Sequence, residues 1–265
     1  MAKLVAGEAR DVTPLECELL PLVRKAHEQP RLLCPADLDP LRKLVGASAL
    51  DYALVLGSFH FVNRMADLLD VSPEALPTPL RRFEPLRRLG TRMASVLLRK
   101  TMDLDNRPYE RSYQEVLAQI APAFERALGR PPREELAPLR ERPKLVEAIG
   151  LMLEERQKRS GLDPAVLSLV DTTVEGALGT CPEDVQGLHP RPADAVEAFA
   201  FVGTRYASRT TGRMIDALRE AGYDDLGILD LAIAVADANN WARLHRLVGL
   251  PSELVVSHEP GFALQ

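Results

Sequence analysis

A chain of 265 residues can bury a sizeable core, as one large domain or two small ones. With 46% hydrophobic residues, 27% charged residues and a pI near 5.7, the composition is that of an ordinary soluble globular protein. The net charge of -5 excludes a global attraction to nucleic acid or anionic lipid, and the acids of MAKLVAGEARDVTPLE do not suit a secretion signal.

In chain order, apolar residues recur at spacings of three and four in ECELLPLVRKA, predicting a first helix. A short helix at DPLRKL leads into ALDYALVLGSFHFVNRMADLLDV, whose opening is apolar on every face and so predicts a helix surrounded by others. Ser48-x-x-Asp51 resembles a capping box, which makes Asp51 a structural acid in the first turn. SPEALPTPL, with three prolines, is a connector. LRRFEPLRRLGTRMASVLLRK follows, with Arg81, Arg82, Arg87, Arg88, Arg92, Arg99 and Lys100 against the single acid Glu84. It reads as a solvated basic amphipathic helix.

RSYQEVLAQIAPAFERAL and PKLVEAIGLMLEERQ continue the helical period. A second break, LGTCPEDVQGLHPRPAD, precedes VEAFAF, MIDALREAG and GILDLAIAVADANNWARLHRLVGL. Alternating β-branched runs are missing, so the fold class is all-α. No apolar run is expected to approach the ~20 residues that span a bilayer, which predicts a cytoplasmic protein without membrane contact. Cys17, Cys34 and Cys181 are far apart and form no CxxC, so a zinc knuckle or local dithiol is excluded; no metal or cofactor is expected.

The most informative feature is internal. LDYALVLGSFHFVNRMADLLDVSPE from Leu50 aligns without a gap with LDLAIAVADANNWARLHRLVGLPSE from Leu229, at an offset of 179 (229 − 50). Leu50, Asp51, Ala53, Arg64, Leu68 and Glu74 meet identical residues, and DPLRKL matches DALREA once two residues are gapped. Two distant copies of a helix pair predict a duplicate packed about a pseudo-twofold axis. The expected organisation is a first repeat in residues 1–75, a helical middle segment in 76–178 and a second repeat in 179–265, in one compact unit.

Both copies place polar side chains where an apolar helix ends. Ser58, His60, Phe61 and Arg64 align with Asp237, Asn239, Asn240 and Arg243. His60 and Arg64 share a helix face, with Asn63 beside them. One expectation is a cleft in which His60 transfers protons and Arg64 or Arg243 holds an anionic substrate. The other is a polar seam that satisfies helix termini and joins the two halves. Arg205, Tyr206, Ser208, Arg209 and Thr210 suit a carboxylate or phosphate as well as they suit capping, and Glu197 is a candidate acid or base. Trp241 is expected to pack, and His245 to lie at the surface.

FHFVNRMADLLDV and its partner ALREAGYDDLGILDLAIAVADANNWARLHRLVGL resemble the alkylhydroperoxidase D-like, or carboxymuconolactone decarboxylase-like, superfamily in its peroxidase-related branch. The resemblance covers roughly residues 39–74 and 199–253, and implies an AhpD-like helical fold built from two repeats. It also implies a homo-oligomer acting on a small molecule. The family's peroxidase cysteines would fall on Ala207 and Thr210, and its histidine on Met214, so that centre is absent. The family's glutamate lies two residues out of register with Glu197. Three functions follow as expectations: a cofactor-free enzyme on a small organic or anionic substrate, a non-catalytic ligand-binding or assembly protein, or a peroxidase using Cys17, Cys34 and Cys181.

Overall fold

The computed structural model describes residues 13–69, 109–132, 134–159, 161–179 and 194–250. Among these, 83% are helical and none forms a strand, as the periodicity predicts. Helix α1 (Pro14–Glu28) starts at a capping box in which the Thr13 hydroxyl accepts from the Glu16 N–H and the Glu16 carboxylate accepts from the Thr13 N–H. Turns of 3₁₀ helix at Pro30–Leu32 and Pro35–Leu38 lead to the short α2 (Asp39–Val45) and, past Gly46 at φ 59°, to the long α3 (Ala49–Leu68). Then come α4 (Tyr113–Leu128), α5 (Pro143–Arg159) and α6 (Pro164–Gly179). Helix α7 (Ala195–Arg205), a 3₁₀ turn at Ala207–Arg209, the short α8 (Gly212–Glu220) and the long α9 (Asp225–Val248) complete the order.

Two apolar cores share α3 and α9. The first joins Leu22 and Ala26 of α1, Leu50 and Leu56 of α3, α4, α5 and the second half of α9 through Trp241, Leu244 and Leu247. The second joins α6, α7, Leu218 of α8, the first half of α9 and Leu68 at the end of α3. The segment between the long helices is therefore divided, α4 and α5 going to one core and α6 to the other. α3 and α9 lie in contact and antiparallel: Gly57 faces Asn240, while Leu68 and Val235 meet over Gly203.

The offset seen in the sequence recurs in the burial pattern. Ala49, Leu50, Ala53, Leu56, Gly57, His60 and Leu68 are buried on α3. Residues 179 further on, Ile228, Leu229, Ala232, Val235, Ala236, Asn239 and Leu247, are buried on α9 apart from Leu229. Upstream of the two-residue gap an offset of 177 holds (203 − 26, and 218 − 41): Leu22, Ala26 and Leu41 correspond to Phe199, Gly203 and Leu218, all buried. The backbone obeys it too, since the C-caps Gln29 (φ -135°, ψ 52°) and Tyr206 (φ -145°, ψ 49°) adopt one conformation.

Three expectations are corrected. Ser48 forms no capping bond; Asp51 instead accepts two hydrogen bonds from Arg142, which fixes α3 to the turn before α5. α3 is not surrounded on all faces, for Val55, Phe59 and Val62 stand in solvent. The stretch Pro35–Leu68 is long and apolar enough, by length and composition, to cross a membrane. A core helix passes the same test. SPEALPTPL, the basic stretch 80–100 and Cys181 lie outside the described residues.

Candidate functional site

The polar residues of the two long helices meet where α3, α9, α1 and α7 converge. Arg243 of α9 is 1% exposed. Its Nε donates to the Ala26 carbonyl of α1 at 3.0 Å, and its Nη1 to the backbone and side-chain oxygens of Asn239 at 2.8 and 3.1 Å. Arg64 of α3 makes the matching bond in the other half, Nη1 donating to the Gly203 carbonyl of α7 at 2.5 Å. Ala26 and Gly203 each lie in a last helical turn, where carbonyls lack intrahelical donors and the helix dipole favours a cation. Each long helix thus uses the arginine shared by the two aligned phrases to satisfy a helix end packed against it from the other part of the chain.

The neighbouring positions differ. Asn239 Nδ2 donates to Thr204 Oγ1 at 2.9 Å and to the Val235 carbonyl at 2.8 Å, closing its half with hydrogen bonds. The corresponding pair in the first half is His60 and His27. Their rings stack, with centroids 6.4 Å apart and planes inclined by 11°. His60 is buried, His27 is exposed, and His60 makes no hydrogen bond among the described residues. Burial above all, then the charges of Arg243 and Arg64, hold the His60 imidazole down at about 3. It is neutral at physiological pH and a poor proton carrier there, because a general base works best with a pKa near the operating pH.

Burial pushes Arg64 down to about 10, against the pull of Asp67, and burial likewise holds Arg243 well below the usual guanidinium range; Arg64 remains cationic at neutral pH. Among the described residues no carboxylate lies within ion-pair distance of either arginine. The acid whose charge reaches Arg243, Glu175 of α6, is engaged by Arg246 at 2.5 Å and His245 at 3.6 Å. Burial opposes the Glu175 charge, but the hydrogen bonds from these two partners hold its carboxyl down at about 2. Among the described residues three buried polar atoms have no partner: Arg64 Nε and Asn240 Oδ1, on the facing helices, and Trp241 Nε1, inside the first core. Buried polar atoms are nearly always paired, so such orphans mark an incomplete site.

No family model, curated protein or solved structure matches this chain.

The expected site residues divide into two groups. His60, Arg64, Asn239, Asn240 and Arg243 come together in the buried centre. Asn63 is exposed on α3 and does not join them. Arg205 ends α7, exposed Arg209 stacks its guanidinium 4.9 Å from the Tyr206 ring, and Thr210 Oγ1 donates to the Ala207 carbonyl at 2.9 Å, so that turn is held by local contacts. Glu197 sits in the first turn of α7, at the end remote from Gly203, where the helix dipole favours an acid.

His245, expected at the surface, is 8% exposed and faces the Leu250 carbonyl at 3.3 Å. Its correction has a simple cause: α6 covers that flank of α9. Trp241 is fully buried, as a packing residue should be. Cys17 and Cys34 are exposed free thiols. Sequence reasoning missed His27 and Thr204. Extending the repeat upstream at 177 would have aligned them, although an imidazole and a hydroxyl share no visible similarity.

Proposed function

We propose that this protein binds a small organic carboxylate in the polar centre between α3 and α9, on a tandem AhpD-like helical scaffold that has lost the sulfur chemistry of its relatives. The observation that carries the reading is Arg64, a half-buried cation whose Nε is buried and unpartnered, beside the fully buried guanidinium of Arg243, with no carboxylate within ion-pair distance of either among the described residues. Uncompensated charge in a protein interior is costly, and a bound anion removes the cost while using the free donor. Exposed His27, stacked on buried His60, marks the side from which solvent reaches this half of the centre.

Duplication is supported by four independent correspondences at fixed offset: the helix order, the burial pattern, the C-cap dihedrals of α1 and α7, and the reciprocal bonds of Arg64 and Arg243. Kinship with the AhpD-like superfamily rests on the repeated helix ending. Asn239 and Thr204 close their position with a mutual hydrogen bond, whereas His60 and His27 at the corresponding position stack without one, so the ligand is received beside His60, on the helix face it shares with Arg64. Binding, rather than proton transfer by His60, is favoured because the imidazole is held so far below neutrality.

Trp241 is the only tryptophan and lies two residues before Arg243, so its fluorescence reports on the centre. Titration with a panel of small mono- and dicarboxylates, with inorganic phosphate for comparison, should give saturable fluorescence changes and a raised melting temperature for a carboxylate. Arg64→Lys keeps the charge but removes the Nε donor and should weaken that binding at least tenfold, with the fold retained. Absence of saturable binding across the panel would overturn the reading. So would equal affinity in Arg64→Lys.

A further inference from the structure

We infer that α3 is the seam of a homodimer in which two copies of this helix pack antiparallel through one apolar stripe. Tyr52, Val55, Phe59, Val62, Ala66 and Leu69 follow one another at alternating spacings of three and four, the pattern that aligns side chains along a helix pairing seam. Val55 is 60% exposed, Phe59 56%, Val62 60% and Leu69 38%. The stripe lies away from the face carrying Gly57, His60 and Arg64, which is committed to α9 and α7.

The same face of the other long helix is covered. At the offset of 179 the stripe maps onto Leu231, Ala234, Ala238, Trp241, His245 and Val248, of which all but Ala234 are buried, by α6 and by the first core. On α3 Tyr52 packs against the first core at one end of the stripe, while Val55, Phe59, Val62 and Leu69 are left exposed among the described residues. An apolar run of this length is not left in water by a protein that can pair it.

The stripe is complementary to itself. A dyad between residues 60 and 61 sets Tyr52 opposite Leu69, Val55 opposite Ala66 and Phe59 opposite Val62, each large side chain meeting a smaller one. Ser58 then faces Asn63, an uncharged pair able to hydrogen-bond across the flank. Between residues 52 and 69 the charges are Arg64, on the inner face, and Asp67, which the dyad places opposite Leu54; no like charges meet. The stripe is about 26 Å long and offers on the order of 500 Å² per copy, so the dimer falls at the small end of specific interfaces and its dissociation constant is expected to be micromolar. A membrane as occupant fits less well, because the helix is fixed along its inner face and the exposed strip is narrow.

Sedimentation velocity of the whole chain across submicromolar to submillimolar concentrations tests this, with variants at exposed Val55 and half-buried Ala66. Wild type should pass from monomer to dimer. Val55→Glu alone and Ala66→Lys alone should each weaken dimerisation at least tenfold, and the double variant should recover most of the loss, because the dyad sets position 55 against position 66. Far-ultraviolet circular dichroism should be the same for all four proteins. A wild type that stays monomeric throughout overturns the inference, as does a monomer that co-sediments with liposomes. A double variant no better than the singles overturns the antiparallel register. Carboxylate binding measured on the Val55→Glu monomer reports separately on the polar centre.

Discussion

His60 contributes to stability in a pH-dependent way that its burial fixes. In the unfolded chain it titrates near 6.5; in the folded protein it is held at about 3, chiefly by burial. Between those values the unfolded state binds the extra proton, so folding stability falls as pH drops from 6.5 and is fully present above it, with a slope of up to about 1.4 kcal/mol per pH unit. Glu175 acts in the same direction at lower pH: its carboxyl is lowered from 4.5 to about 2, so its contribution is lost only below 4.5. The interval from about pH 5 to 6.5 therefore isolates the histidine. Urea denaturation across that interval should show the acid slope for wild type and a flatter line for His60→Asn, which installs the residue found in the other half; an unchanged slope contradicts the assignment. The two arginines should also differ. Arg243→Ala empties a fully buried site and strips the donors from Ala26 and Asn239, at a cost of about 3 kcal/mol, whereas Arg64→Ala, with one backbone bond and partial exposure, should cost about 1 kcal/mol. Equal costs by urea denaturation would mean that the two arginines are not held differently.

The crossing of α3 and α9 depends on a missing side chain. A Cβ at Gly57 would lie well inside contact distance of Asn240 Oδ1, and Asn240 is 3% exposed with little room to yield. Gly57→Ala should therefore destabilise by about 1–3 kcal/mol despite alanine's higher helix propensity. Gly176, inside α6 and with open space around it, makes the control: Gly176→Ala should stabilise by about 0.5–1 kcal/mol. A Gly57→Ala variant as stable as wild type would mean that the helices do not approach as described. At this scale the helices themselves were legible, since their periods and caps are local properties. The exposed face of α3 was not, because all-round apolarity looks the same whether the last face meets a core or a second chain. His245 misled for the matching reason: which helix covers a flank is decided by packing, not by the residue.

Across the whole molecule, the two cores have α9 in common. Leu231 anchors its first half in one and Leu247 its second half in the other, both fully buried. A rigid helix shared by two cores couples them, so unfolding should be a single transition. Leu231→Ala and Leu247→Ala should each lower that one transition by about 2–5 kcal/mol; two separated transitions would contradict the coupling. The repeated phrase was legible in the two long helices and in Arg64 and Arg243, which make corresponding bonds. The reciprocal carbonyls at Ala26 and Gly203 were not, because a backbone acceptor leaves no mark in a side-chain sequence. The central claim is that the cations between the paired helices await an anion. A crystal structure of the protein with the tightest-binding carboxylate of the panel tests it most directly. Density for the carboxylate within hydrogen-bond distance of Arg64 Nε, with Arg64 and Arg243 still on the Gly203 and Ala26 carbonyls, is the predicted result. An Arg64 Nε donating to a protein acceptor, with no anion in the centre, would contradict it.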